Sequence, residues 1–358
     1  MQDIFAQAAA ALSRGQVLES QANPTGLAGA VRCYDEAIAL LRRLPPSAEP
    51  TRRELARATM NRGNALQRQP SAALLGDAVR AYDEAISLFR SLPLDQNPED
   101  RNSLGAAWMN RGHALYVQAT RESLTEAARS QLEAIDTLKP LPLDSSRAVR
   151  LNLSAAWLNL GNTLLALGEP GRAMAATAEA LSLTAPGEDE DPALADISLK
   201  ARRARCEALS RALIASLNND QPTESLVDEA SDIVDDGLAL ARTWESRGLP
   251  LFRPNAARLF RFGSQLYGAY MPDFLAEFVL EHLDPDRSAG AMPMVEDSFL
   301  AATEAIARAR ADLEGRRTVF LDTPETTRLI ERLRDLRAAE ARLAELRRAY
   351  PAPATVQA

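Results

Sequence analysis

An all-α fold is predicted by three features of the 358-residue chain. It is rich in alanine and leucine with only 5% aromatic residues, it holds no convincing run of alternating β-branched residues, and one stretch carries two helix patterns joined by a turn signal. That stretch is WLNLGNTLLALGEPGRAMAATAEALSL, from Trp157 to Leu183. Trp157, Leu160, Gly161, Leu164, Gly168, Ala173 and Ala180 fall at offsets 0, 3, 4, 7, 11, 16 and 23. The spacing is that of two antiparallel helices around a tight turn, with small residues where the backbones approach closely.

The stretch is one copy of a repeat. MNRGNAL from Met60 returns as MNRGHAL from Met109 and as LNLGNTL from Leu158, with a weaker first copy, SRGQVL, around Gly15. Gly15, Gly63, Gly112 and Gly161 are thus spaced 48, 49 and 49 residues apart. The second helix repeats as well, in VRCYDEAIALLRRLP from Val31, VRAYDEAISLFRSLP from Val79, ARSQLEAIDTLKPLP from Ala128 and RAMAATAEALSLTAP from Arg172. The glycine leads Ile38, Ile86 and Ile135 by 23 residues but leads Leu181 by only 20. Three extra residues are therefore expected between the helices of the first three copies, near 23–29, 70–76 and 120–125. Connectors containing Pro45, Pro93 and Pro142 separate one pair from the next.

Together these residues resemble a tetratricopeptide repeat, with its large residue, Leu-Gly, turn glycine and two spaced alanines, in a variant whose period is near 49 rather than about 34 residues. The resemblance covers residues 2–186. It implies a right-handed α-solenoid of TPR-like helical hairpins whose first helices line a concave groove. Beyond the acidic loop 186–192 the rhythm weakens. Ala193–Leu217 with Thr223–Trp244, and Asn255–Tyr270 with Pro272–Leu283, read as two divergent hairpins continuing the solenoid over 192–284. Phe262-Gly263 stands there where the strong copy has Leu160-Gly161. After the loop 284–293, Val295–Leu313 and Pro324–Tyr350 are expected as capping helices over 295–350, with a flexible tail at 351–358. Leu329, Leu333, Leu336, Leu343 and Leu346 form an apolar stripe on the last helix, gap-filled by Ala339. It is expected to cover the end of the solenoid, with a self-pairing coiled coil as the alternative.

The sharpest repeated position is polar. Asn61, Asn110 and Asn159 each precede the glycine of a first helix by two residues, and Asn64, His113 and Asn162 follow three residues later on the same helical face. The resemblance implies that such a ladder holds an extended peptide, since a carboxamide both donates to and accepts from a peptide backbone. The alternative is that these amides bond neighbouring helices and fix their stacking. Arg57 matches a position from which some relatives clamp a C-terminal carboxylate, but its equivalents Ala9, Ala106 and Ala155 are uncharged. Arg62 and Arg111 occupy a position that is apolar in the family and are read first as buried stems with exposed heads, and second as contacts to an acidic ligand side chain. Tyr34 and Tyr82 are assigned to packing. The segment 244–278 holds eight of the 18 aromatic residues and is read as core before pocket.

Other classes find little support. The net charge of −8 lacks the basic stripe that nucleic acid requires. Lys139 and Lys200 are the only lysines, a bias read first as codon usage in a GC-rich, bacterial genome and second as selection for forked hydrogen bonding. Cys33 and Cys206 have no metal or redox spacing and are expected as reduced buried thiols. No leader pattern and no long apolar run is present, which points to a cytoplasmic protein without membrane contact. No phosphate loop, nucleophile elbow or zinc motif is found, so neither an enzyme nor a cofactor is expected. The function expected is a non-catalytic scaffold that binds a peptide segment or protein partner in the groove, as a monomer rather than a coiled-coil dimer. A peptide-responsive regulator and an oligomer built through the last helix are the alternatives.

Overall fold

Proline and short polar caps cut this chain into helices. The computed structural model describes residues 2–69, 71–143, 146–249, 252–284, 296–317 and 324–349, and holds among them fourteen helices and no strand. Pro24, Pro50, Pro98, Pro170, Pro192 and Pro254 each stand in the first turn of a helix, where the missing N–H costs nothing. Asn23, Asn97, Thr120, Ser146 and Asp191 cap helix starts by accepting from backbone N–H groups. The chain divides into two compact units, Met1–Pro186 and Gly187–Ala358.

The first unit holds α1 (Gln2–Ser20), α2 (Pro24–Leu41), α3 (Glu49–Gln67), α4 (Ala72–Arg90), α5 (Pro98–Gln118), α6 (Arg121–Leu138), α7 (Arg147–Leu167) and α8 (Pro170–Thr184). They pair as α1 with α2, α3 with α4, α5 with α6 and α7 with α8; each pair packs on the next, and α5 lies against both α3 and α7. The repeated glycines sit where each pair closes. A Cβ on Gly15 would come within 2.5 Å of the Tyr34 ring, one on Gly63 within 2.7 Å of the Tyr82 ring, one on Gly112 within 2.4 Å of Gln131 Nε2, and one on Gly161 within 2.8 Å of Thr177 Cγ2. Tyr34 and Tyr82 are fully buried, as expected of packing residues.

The three extra residues are not in the turns. Pro24, Ala72, Arg121 and Pro170 all follow their glycine by nine residues, so the second helix starts at the same place in every copy. The residues that press on the glycines follow by 19 in the first three copies and by 16 in the fourth. The insertion is an added turn at the start of α2, α4 and α6, which have 18 or 19 residues against the 15 of α8. Three residues nearly complete a 3.6-residue turn, so the apolar face keeps its direction. Pro70, at the edge of one expected insertion, lies outside the described residues.

Ion pairs repeat with the same period. Arg42 meets Glu84 at 2.7 Å and Arg90 meets Glu133 at 3.2 Å between successive second helices. Arg62 Nε donates to Asp35 at 2.6 Å and Arg111 Nε to Asp83 at 2.7 Å, each linking a first helix to the second helix before it. Such exposed pairs add about 0–1 kcal/mol each and act mainly on register. A more buried pair joins α3 to α5: Arg53 Nε lies 2.8 and 2.9 Å from the two oxygens of Asp100, a carboxylate with no exposed surface.

The second unit holds α9 (Pro192–Asn218), α10 (Glu224–Ser246), α11 (Arg253–Tyr270), α12 (Leu275–Leu283), α13 (Glu296–Arg317) and α14 (Pro324–Ala349). Its divergent hairpins and its last two helices, expected as separate regions, share one core running from Ala195 to Leu346. α11 packs on α9, α10 and α13 and less on the short α12. Even so, a Cβ on Gly263 would lie 2.5 Å from the Phe278 ring, repeating in α11 and α12 the glycine contact of the first unit. The leucine stripe of α14 is buried, with Ala339, against this core. Trp244, Phe252, Phe260, Tyr267 and Phe278 are buried as well, while Phe274 is exposed. Cys206 is buried and desolvation pushes its thiol up to about 12, whereas Cys33 is only half-buried, against expectation. No helix among the described residues is long and apolar enough to cross a membrane. The tail 351–358 and the loop over 285–293 lie outside the described residues.

Replacing Gly63 tests the close approach. Alanine is ordinarily worth about 1 kcal/mol over glycine in a helix, but overpacking against Tyr82 costs about 1–3 kcal/mol. Gly63→Ala is expected to lower stability in urea melts, whereas Gly171→Ala, with nothing within 4 Å of the new methyl, leaves it unchanged or raises it.

Candidate functional site

The ladder residues lie on three successive first helices: Arg57, Asn61, Arg62 and Asn64 on α3, Asn110, Arg111 and His113 on α5, Asn159 and Asn162 on α7. The hairpin geometry places Asn64 beside α4 and α5 at once. Asn110 Nδ2 donates to Asn64 Oδ1 at 3.0 Å, and the Tyr82 hydroxyl lies 2.9 Å from that same oxygen and 2.8 Å from Gln67 Oε1. The Gln67 amide in turn bonds His113 Nδ1. Five side chains from three helices thus form one hydrogen-bonded chain, and part of the ladder fixes stacking. A second amide pair, Asn152 Nδ2 to Asn102 Oδ1 at 3.0 Å, joins α5 to α7. The sequence signal for it was two asparagines 50 residues apart, one residue off the 49-residue period.

The other ladder amides are not used this way. Asn61, Asn159 and Asn162 are half-buried and make no side-chain hydrogen bond among the described residues. Asn159 and Asn162 line a small polar cavity with His113, Tyr116, Gln131 and Thr163. His113 keeps an exposed edge, yet burial of the rest of the ring lowers its pKa, which favours the neutral imidazole. An Nδ1 that accepts from Gln67 leaves the ring proton on Nε2.

The arginines are engaged within the chain. Arg57 meets Glu54 at 3.3 Å, Arg62 meets Asp35, and Arg111 is held by Asp83 and by Ser130 Oγ at 2.7 Å. The Arg90 and Arg111 guanidiniums also lie 4.9 and 5.7 Å from the centre of the Trp108 ring.

The second unit has cavities of its own. One of about 510 Å³ lies between α11 and α13, with Arg261, Gln265, Glu304 and Arg308 at its walls. Another, of about 230 Å³, is lined by Asp235, Tyr267, Phe274, Glu277, Phe278 and Glu281. Beside it the Tyr267 hydroxyl bonds Ser231 at 2.8 Å and Asp235 at 3.2 Å, and the buried His282 accepts Arg242 on Nδ1 at 2.8 Å. Among the described residues no group of His, Cys, Asp and Glu is placed to hold a metal ion. No protein-family model matches the chain, and no curated protein matches it.

The Tyr82 hydroxyl gives the network a pH signature. Desolvation, followed by the charge of Glu19, raises its pKa above the ordinary value near 10. Keeping it neutral therefore stabilises the fold fully below about pH 10, and this contribution is lost as pH rises beyond. Tyr82→Phe is expected to cost about 1 kcal/mol at pH 7 by removing the hydroxyl shared by Asn64 Oδ1 and Gln67 Oε1, of which only Asn64 keeps another donor, Asn110. The deficit should shrink between about pH 10 and 11 in urea melts, because the variant has no phenol there to ionise.

Proposed function

We propose that residues 1–186 form a right-handed α-solenoid of tetratricopeptide-like hairpins and that the chain is a non-catalytic scaffold, holding an extended peptide segment or protein partner along its first helices. The observation that carries this reading is the division of the ladder. Asn64 and Asn110 are spent on stacking, while Asn61, Asn159 and Asn162 keep donors and acceptors unused at equivalent, partly exposed positions of α3 and α7. An extended backbone carries one donor and one acceptor per residue, which a row of carboxamides can match without charge. Arg62 and Arg111 act in this reading as register pins, because each is already held by the preceding hairpin.

The test is affinity capture from native lysate read by mass spectrometry, comparing the wild type with an Asn61→Ala, Asn159→Ala, Asn162→Ala variant. Partial exposure predicts an unchanged melt for that variant. A specific partner retained by the wild type should be lost, with affinity reduced at least about tenfold by the removal of several hydrogen bonds. An Asn64→Ala variant should instead lose stability. Equal retention by wild type and triple variant would make the whole ladder structural.

A further inference from the structure

Acidic side chains of the second unit are repeatedly met by an arginine. Glu188 lies 3.0 Å from Arg202 and Asp284 2.8 Å from Arg342, while Glu229 and Glu245 are held by Arg205 and Arg253. Even Asp273, next to Phe274 in the chain, is paired with Arg332. The cavity of about 230 Å³ lined from α10, α11 and α12 departs from this pattern. Asp235, Glu277 and Glu281 line it, and none of the three meets a lysine or an arginine among the described residues. Glu277 and Glu281 are exposed and stand one helical turn apart on α12. Asp235 is about half-exposed, accepts from the Tyr267 hydroxyl at 3.2 Å and lies 3.9 Å from His282 Nε2.

The rest of the lining is aromatic and apolar, from Tyr267, Met271, Phe274 and Phe278. Phe278 stacks on Tyr267 and on Phe260 with ring centres 4.4 and 5.4 Å apart, and the Tyr267 hydroxyl is tied to Ser231 and Asp235, so this side of the cavity is firmly held. Phe274 differs: it is 56% exposed at the start of α12, one turn before Glu277 and Phe278. An open ring beside carboxylates that lack a counter-charge suits an organic cation, whose head is drawn to the ring face and the acids while its stem covers the apolar surface. Other occupants fit less well. An anion is repelled by the carboxylates, and a neutral group leaves them unmatched. A metal ion needs ligands that converge on one point, and among the described residues no group of His, Cys, Asp and Glu is placed to do so. The volume lies below the roughly 300–1,000 Å³ of a pocket for a drug-sized ligand and suits a single stem and head.

We infer that this cavity binds one organic cation, an ammonium or guanidinium carried on an apolar stem, against the Phe274 ring, with Glu277, Glu281 and Asp235 as its counter-charges. Its chemistry is independent of the ladder in the first unit.

The experiment is a ligand-observed NMR titration of the full chain with Nα-acetyl-lysine amide, with spermidine, and with Nα-acetyl-norleucine amide, which keeps an apolar stem without the charge. Saturable binding of at least one of the two cations is expected, with the norleucine compound at least about tenfold weaker. Glu277, Glu281 and Phe274 are exposed, so their variants should melt as the wild type does. Glu277→Gln combined with Glu281→Gln should weaken the cation by at least about 5-fold, and Phe274→Ala by about 2- to 5-fold, the range of an exposed cation–π contact. Tighter binding of the lysine compound identifies the ligand as a basic side chain of a protein partner, and tighter binding of spermidine as a free polyamine; either result upholds the site. Failure of both cations to bind, or equal binding of the norleucine compound, overturns it. Weakening by the glutamine variant with none by Phe274→Ala reduces the cavity to an acidic surface and overturns it as well, as does binding that neither variant changes.

Discussion

The geometry of the first unit depends on the close approach of paired helices at Gly15, Gly63, Gly112 and Gly161. With no Cβ at these points, a tyrosine ring, a glutamine or a threonine from the facing helix can lie against the backbone itself, within 2.4–2.8 Å of where a methyl carbon would be. Each contact sets how far one helix stands from its partner, and α5, which lies against α3 as well as α7, passes that spacing along. The polar residues near the glycines then inherit fixed positions. Asn64 can bond Asn110 across two hairpins only because Tyr82 seats both α3 and α4 at the right depth.

Much of this was legible because the glycines recur at a regular spacing, and in three of the four copies stand 19 residues before the residue that meets them. The 48- and 49-residue spacing, the helix pairs and the packing role of Tyr34 and Tyr82 could be read from patterns alone, since helical periodicity and small-residue placement are local properties. The place of the three extra residues could not. A longer turn and an added helical turn shift the pattern by the same count, and the choice between them turns on whether three residues find helical hydrogen bonds in the folded chain. The start of α2 at Pro24, capped by Asn23, decides for the helix.

The candidate site was half-legible for a similar reason. Repetition revealed that Asn61, Asn64, Asn110, His113, Asn159 and Asn162 share a face, but a carboxamide looks the same in sequence whether it bonds a neighbour or waits for a ligand. Its fate is set by residues about 18–46 positions away, such as Tyr82 and Asn110 for Asn64. The ion pairs hide in the same way. Asp100 reads as one acid in a first turn, yet it is buried beneath an arginine 47 residues earlier, and Arg62 finds Asp35 only once hairpins are stacked. In the second unit the glycine station persists at Gly263 and Phe278 although the surrounding pattern has gone, which shows that the contact outlasts the motif that announces it.

Stacked hairpins built on one pattern must reconcile uniform spacing with the different side chains that each copy carries. Here the two demands fall on different atoms of the same station. The glycine and the backbone it exposes stay constant and carry the stacking, while the residue opposite runs from Tyr34 and Tyr82 to Gln131 and Thr177. The polar groups around it are differently satisfied: Asn64 is bonded by Tyr82, whereas its equivalent His113 is bonded by Gln67 and Gln131 Oε1 is left without a partner. Burying an unpaired acceptor costs about 1–3 kcal/mol. Gln131 is therefore the position at which the repeat departs most clearly from the tyrosine packing of its first two copies.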